Sequence, residues 1–77
     1  MTLKIISAES ILFEGEVESV TMPGSMGSFT VLSHHASLVS TLVKGKIAYR
    51  DGSGVHEVNV DGGIADVDND VVSVCVY

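Results

Sequence analysis

The apolar residues of this chain recur at a spacing of two, not of three and four. Val72, Val74 and Val76 alternate with Ser73 and Cys75, and Val58 and Val60 alternate with Glu57 and Asn59. Alternation of this kind marks strands with one buried face. The apolar positions are dominated by Val and Ile, which suit a pleated surface better than a helix, and no long stretch carries a clean 3.6-residue stripe. Strands are expected at residues 3–7, 11–13, 16–22, 46–50, 55–60, 64–67 and 71–76. Residues 36–43 are read as strand, with a helical stripe of Ala36, Val39 and Val43 as the alternative. The alternation changes phase between Val17 and Val20, as it does where a strand bulges or passes between sheets.

Turn residues punctuate this pattern. Asp51-Gly52-Ser53-Gly54 is the strongest hairpin signal, and Asp68-Asn69-Asp70 is expected at the tip of a last, acidic hairpin. Lys44-Gly45 and Asp61-Gly62-Gly63 are further breaks, and Gly15, between Glu14 and Glu16, is expected at a bulge or tight turn. The only proline, Pro23, has a fixed φ and no N–H to give a ladder, so it ends a strand or lies on an edge. Gly24 is expected to take a positive φ, and Gly27 to allow a second bend. Residues 22–36 therefore read as a loop, yet Met26, Phe29, Val31 and Leu32 make it apolar. An apolar loop either returns into the core or meets a partner. Short strands with turns every ~8–12 residues indicate an all-β fold, a flattened two-sheet β-sandwich of about ten short strands. Nothing divides the chain, so residues 1–77 are expected to form one domain.

Composition narrows the function. A chain of 77 residues buries only about 60% of the surface it exposes when unfolded. With one cysteine, Cys75, it has no internal disulfide, and Cys75 is read as an inert core thiol. The net charge is −6, and Lys4, Lys44, Lys46 and Arg50 are scattered. No nucleic-acid partner is expected, because phosphate neutralisation supplies most of that affinity, and the same charge disfavours anionic lipid. No apolar run approaches the ~20 residues of a membrane span, so no direct membrane insertion is expected. Met1 leads straight into a strand pattern with no signal-like leader, and the chain is expected to work where it is made.

Candidate chemistry is sparse. His34 and His35 are neighbours, and in extended structure neighbours point to opposite faces and rarely share an ion. His56 lies on an apolar strand face, where a hydrogen-bonded structural role is expected. Asp66, Asp68 and Asp70 have the opening spacing of a calcium loop, but Val71 stands where glycine is needed and Tyr77 where glutamate is needed. Gly24-x-x-Gly27 lacks the Lys-Ser/Thr of a phosphate loop, and no nucleophile elbow surrounds any serine. No metal, cofactor or catalytic residue is expected.

Four segments together resemble the N-terminal β-sandwich of the epsilon subunit of F-type ATP synthases. They are Ile5-Ile6-Ser7-Ala8-Glu9, Phe13-Glu14-Gly15-Glu16-Val17-Glu18-Ser19-Val20, the run from Pro23-Gly24 through Val31-Leu32 to His35-Ala36 and Leu38, and Val60-Asp61-Gly62-Gly63-Ile64-Ala65-Asp66-Val67. Each is weak alone, while their order and spacing cover nearly the whole chain. Ser33-His34 stands where the family usually has Pro-Gly, Ser37 where it has Pro, and Met26 and Ser28 where acidic residues are common. The resemblance implies a non-catalytic central-stalk subunit that links the gamma subunit to the membrane c ring and couples proton-driven rotation to ATP synthesis. It implies a peripheral position on the cytoplasmic face of the bacterial plasma membrane, through the ATP synthase complex. Ser7, His35 and Ser40 would face gamma on one continuous surface, and Met26, Gly27, Ser28 and Phe29 would meet the c ring. Many family members continue into a C-terminal helical hairpin that restrains hydrolysis. For a chain stopping at Tyr77, the expectation is coupling without that brake. The competing expectation is a free-standing sandwich that binds a small ligand or carbohydrate, for which the chain offers few aromatic residues: Phe13, Phe29, Tyr49 and Tyr77.

Overall fold

The computed structural model describes residues 1–77. It contains nine strands and no helix: β1 (Thr2–Ile6), β2 (Ile11–Glu16), β3 (Ser19–Gly24), β4 (Gly27–Leu32), β5 (Leu38–Leu42), β6 (Gly45–Asp51), β7 (Gly54–Val60), β8 (Gly63–Asp68) and β9 (Val71–Val76). The expected all-β fold is present, with nine strands for the ten expected. Residues 36–43 form strand β5, as read.

All nine strands belong to one hydrogen-bonded ladder, folded over on itself at β3. Strands β2-β1-β9-β8-β5 make one layer, and β4-β3-β6-β7 make the other. All neighbours are antiparallel except β1 and β9, which run parallel. The layers meet at a corner where Gly24 pairs with Leu42, and Val43 N–H donates to Pro23 O at 2.8 Å. Between them lies a core of 15 apolar residues, among them Leu3, Ile5, Val20, Met22, Val31, Ile47, Val67, Val72 and Val74. The Phe13 ring of β2 stacks on Tyr49 of β6 at 4.2 Å between centroids, so an aromatic pair ties the two layers together.

Several turns follow from local chemistry. Asn69 and Asp70 have φ of 51° and 61°, the pair of positive values that a two-residue type I′ hairpin requires. The phase change at Val17 is a crossing: β2 ends at Glu16, β3 begins at Ser19, and Val17 is buried between the layers.

Two glycines differ from expectation. Gly15 is neither bulge nor turn but an inward strand position opposite Leu3, where a Cβ would lie 3.2 Å from the Phe13 ring. Gly24 has no positive φ, and the left-handed value belongs to Gly27, at 122°. Gly24 is glycine because a Cβ there would lie 2.7 Å from the Gly27 carbonyl oxygen and 2.8 Å from the Phe29 ring. The expected loop over residues 22–36 is largely a hairpin, with β3 and β4 joined by Ser25 and Met26 and only residues 33–37 left as a connection.

Candidate functional site

The two outer faces of the sandwich differ. On the β4-β3-β6-β7 layer the outward residues are mostly polar. Thr21 and Thr30 share a hydrogen bond at 2.8 Å, and Lys46 pairs with Glu57 at 3.6 Å. On the five-stranded layer an apolar row crosses the sheet. Ladder register aligns Thr41 of β5 with Ile64 of β8, Ile64 with Cys75 of β9, Cys75 with Ile6 of β1, and Ile6 with Ile11 of β2. A skipped residue in β2 opposite the Ile5–Ile6 step adds Leu12 at the edge. Five strands at ~4.8 Å spacing make this row roughly 19 Å wide. Ile64 is 52% exposed and, one row along, Val39 is 71% exposed. Cys75 is also exposed, which corrects the expectation of a core thiol. In β9 the odd-numbered positions face out, while Val72, Val74 and Val76 fill the core.

The expected partner residues fall in different places. Ser7 closes the β1–β2 connection: its Oγ accepts from the N–H of Ser10 at 3.2 Å and of Glu9 at 3.3 Å, and Ser7 N–H donates to Ser10 O at 2.8 Å. It sits next to Ile6, at the apolar end of the sheet. His35 lies at the other end, just before β5, and its N–H donates to Leu32 O at 3.2 Å. Ser40 pairs with fully buried Ala65 and so faces inward. The three do not form one continuous patch. The outward neighbours of Ser40 are Val39 and Thr41, and Val39 is the exposed apolar residue on that strand that sequence reasoning missed.

The hairpin residues are better grouped. Met26 is 99% exposed at the β3–β4 tip, and Ser28 is exposed beside it. Phe29 is half-buried and packs on the core, so it positions the tip from below. The tip is held to β5: Ser25 N–H donates to Thr41 O at 3.0 Å, and the Ser25 and Thr41 hydroxyls are 2.6 Å apart. The exposed hairpin and the apolar row thus meet at Thr41.

His34 lies in a turn, not in the extended structure expected of the His34-His35 pair. His34 has φ 63°, and its N–H donates to Asp70 Oδ1 at 2.8 Å. That hydrogen bond holds the Asp70 carboxyl below the usual carboxylate range. A carboxyl with a lowered folded-state pKa adds stability above its unfolded value, near 3.8, and that stability is lost as pH falls through the folded value. Asp70→Asn is expected to leave the melting temperature less dependent on pH below about 4 than in the unsubstituted chain. Thermal melts at stepped pH check this.

Ser53, His56 and Asp51 also come together, at the β6–β7 tip. Ser53 Oγ lies 3.0 Å from His56 Nε2 and 2.8 Å from Asp51 Oδ1, and the same Nε2 lies 3.0 Å from Asp51 Oδ1. A nucleophilic relay needs the two ring nitrogens to face different partners. Here one nitrogen faces both, and the trio ties off a hairpin, with the Ser53 hydroxyl and N–H holding Asp51 below its ordinary pKa. The His56 ring rests on Tyr49 at 5.3 Å.

These features define a small β-sandwich whose distinctive surfaces are one apolar outer face and one exposed hairpin tip. A family model described as the ATP synthase delta/epsilon chain β-sandwich domain matches residues 1–77, and the chain belongs to that family. It is 40% identical over 74 residues to an ATP synthase epsilon chain of Leptospira borgpetersenii and 43% identical over 75 residues to one of Campylobacter jejuni, in each case covering 96% of this chain and 58% of the relative. An ATP synthase epsilon chain of Caulobacter vibrioides is 41% identical over 63 residues, 82% of this chain and 73% of the relative. The chain thus spans a little over half the length of the Leptospira and Campylobacter relatives. Among solved structures, the fold is shared with a chain of the Euglena gracilis mitochondrial ATP synthase (TM-score 0.88, 23% identity, 96% of this chain and 48% of that one). It is also shared with a chain of the Tetrahymena thermophila mitochondrial ATP synthase central stalk and c ring (TM-score 0.82, 13% identity, 99% of this chain and 62% of that one).

Proposed function

We propose that residues 1–77 act as one domain of a non-catalytic central-stalk subunit in a proton-translocating ATP synthase, holding the gamma subunit on one side and the membrane c ring on the other. The subunit would sit peripherally on the cytoplasmic face of the bacterial plasma membrane, through the complex. The observation that carries this reading is the junction at Thr41. The strand that contributes to the apolar face also anchors the exposed hairpin tip through hydrogen bonds. A body that passes torque between two partners needs two adhesive surfaces joined by stiff structure, and hydrogen-bonded strands supply the stiffness. Gamma would cover the apolar outer face: Ile64, Cys75, Ile6 and Val39, with Ser7 at one end, His35 at the other and Ser40 supporting Val39 from within. The c ring would meet Met26 and Ser28, on a turn that Gly27 permits and Phe29 props. A sandwich built to bind a small ligand is not favoured, since its surface depression is lined by Ser37, Leu38, Val39, Asp66, Val67 and Asp68, with no aromatic residue.

The test is to rebuild the ATP synthase with and without this chain and to measure ATP hydrolysis and proton pumping together. Pumping per ATP hydrolysed is expected to fall when the chain is left out. Equal pumping in both preparations would contradict the proposal.

A further inference from the structure

The outer face of the five-stranded layer changes character along its strands. The row Ile64, Cys75, Ile6 and Ile11 is apolar, with Thr41 at its β5 end. Two residues along each strand, or three on β2 where Leu12 is skipped, and ~7 Å away, the aligned positions are Val39, Asp66, Ser73, Lys4 and Glu14. Beyond them come Asp68, Val71, Thr2 and Glu16. These two rows set Asp66, Glu14, Asp68 and Glu16 against Lys4 and the N-terminal ammonium, which lies 3.5 Å from Glu16 Oε1, and leave Asp66 and Asp68 with no cation paired to them. The other outer face carries no such surplus, for there Lys46 and Arg50 stand beside Glu57.

At the acidic end of β5 and β8 the surface dips into an open depression of ≈ 360 Å³. Leu38, Val39 and Val67 supply apolar wall, and Asp66 and Asp68 supply carboxylates. Asp68 Oδ1 accepts from Ser37 Oγ at 2.9 Å, which fixes the carboxyl group at the rim. A long cationic side chain fits such a place, because lysine and arginine lay their methylene stems on apolar surface while the charged head stays among polar groups.

We infer that the partner docked on this face is apolar over the Ile64 row and cationic over the Asp66–Asp68 end, with a lysine or arginine seated in the depression. The inference rests on the proposed docking of gamma to this face. It adds the chemistry of the contact: apolar burial holds the complex, and charge speeds its formation.

The experiment uses the full chain and the gamma subunit from the same genome, with association rates followed over a range of NaCl concentration. The Asp66→Lys/Asp68→Lys double variant is expected to associate about tenfold more slowly at low salt and to lose most of the salt dependence. Asp66→Asn, which breaks no internal hydrogen bond, should shift both in the same direction by less. Glu57→Lys makes the same charge change as Asp66→Lys on the opposite face, and at ~0.1 M NaCl, where charges are screened over ~10 Å, it should slow association much less than Asp66→Lys does. The inference is overturned if the acidic-end variants keep the normal rate and salt dependence while Ile64→Glu still abolishes binding. The face would then dock gamma without a cationic seat. If Ile64→Glu and the double variant both bind normally, the docking proposal itself falls.

Discussion

Gly63→Ala is expected to unfold much of the population of this protein at room temperature or to lower its melting point by about 12–24 °C. Gly63 opens β8 and pairs with both Leu42 and Val76, so backbone closes on it from either side. A Cβ built there would lie 2.2 Å from the Cys75 carbonyl oxygen and 3.1 Å from the Val76 Cα. Those are backbone atoms in a central strand, and neither can turn aside as a side chain would. Relief requires β8 and β9 to separate locally, which breaks ladder hydrogen bonds next to the corner that joins the layers. A cost of about 3 kcal/mol is reasonable for a forced backbone shift of this kind. Stability at ~0.05–0.15 kcal/mol per residue is roughly 4–12 kcal/mol for a chain of this size, so the loss is a large fraction of the whole. Gly52→Ala is the matched control. No atom lies within 4 Å of its Cβ position, and its melting point should hardly move.

Ile64→Glu is expected to weaken binding of the gamma subunit by about 30- to 700-fold, the equivalent of 2–4 kcal/mol at an interface hot spot. The side chain sits mid-row, between Thr41 and Cys75. In the complex a carboxylate there would lose its water with no cation of this chain to replace it. In the free chain the same position is half open to solvent, so the fold should change by no more than about 1 kcal/mol, the span of strand propensities. Val55 provides the comparison: it is equally exposed, at 55% against 52%, but on the other layer. Val55→Glu should bind gamma normally. Calorimetric titration of both variants, with melting curves alongside, separates lost docking from lost folding.

Much of the fold was legible because its signals are local. A hairpin at Asp51-Gly52-Ser53-Gly54 needs only four residues to declare itself, and β7 and β9 announce their buried face by alternation. The failures share a different cause: they turn on neighbours brought close by the ladder, not on neighbours in sequence. Gly15 looked like a break, but its reason for being glycine is the Phe13 ring folded across it. Gly24 looked like a positive-φ residue, but it answers to the carbonyl of Gly27 across the hairpin. In β5 both Leu38 and Val39 are apolar, so alternation could not say which faces in, and only the pairing of Ser40 with Ala65 decides it. Cys75 is the exception, since its outward direction was already implied by Val72, Val74 and Val76. The family resemblance named a surface by its residues, but whether those residues share a face depends on the same long-range register.

If the proposed docking holds, gamma covers the outer face of the five-stranded layer while the β3–β4 tip is left for the c ring. The chain contains its own reporter, because its single cysteine lies in the middle of the apolar row. The rate at which a maleimide labels Cys75 should be measured in the free chain and in the chain saturated with gamma. A Met26→Cys variant in a Cys75→Ser background should be measured in the same way. The account predicts that gamma strongly protects Cys75 and leaves the tip cysteine as reactive as before. Unchanged labelling of Cys75 in the saturated complex, or protection of the tip alone, would contradict it.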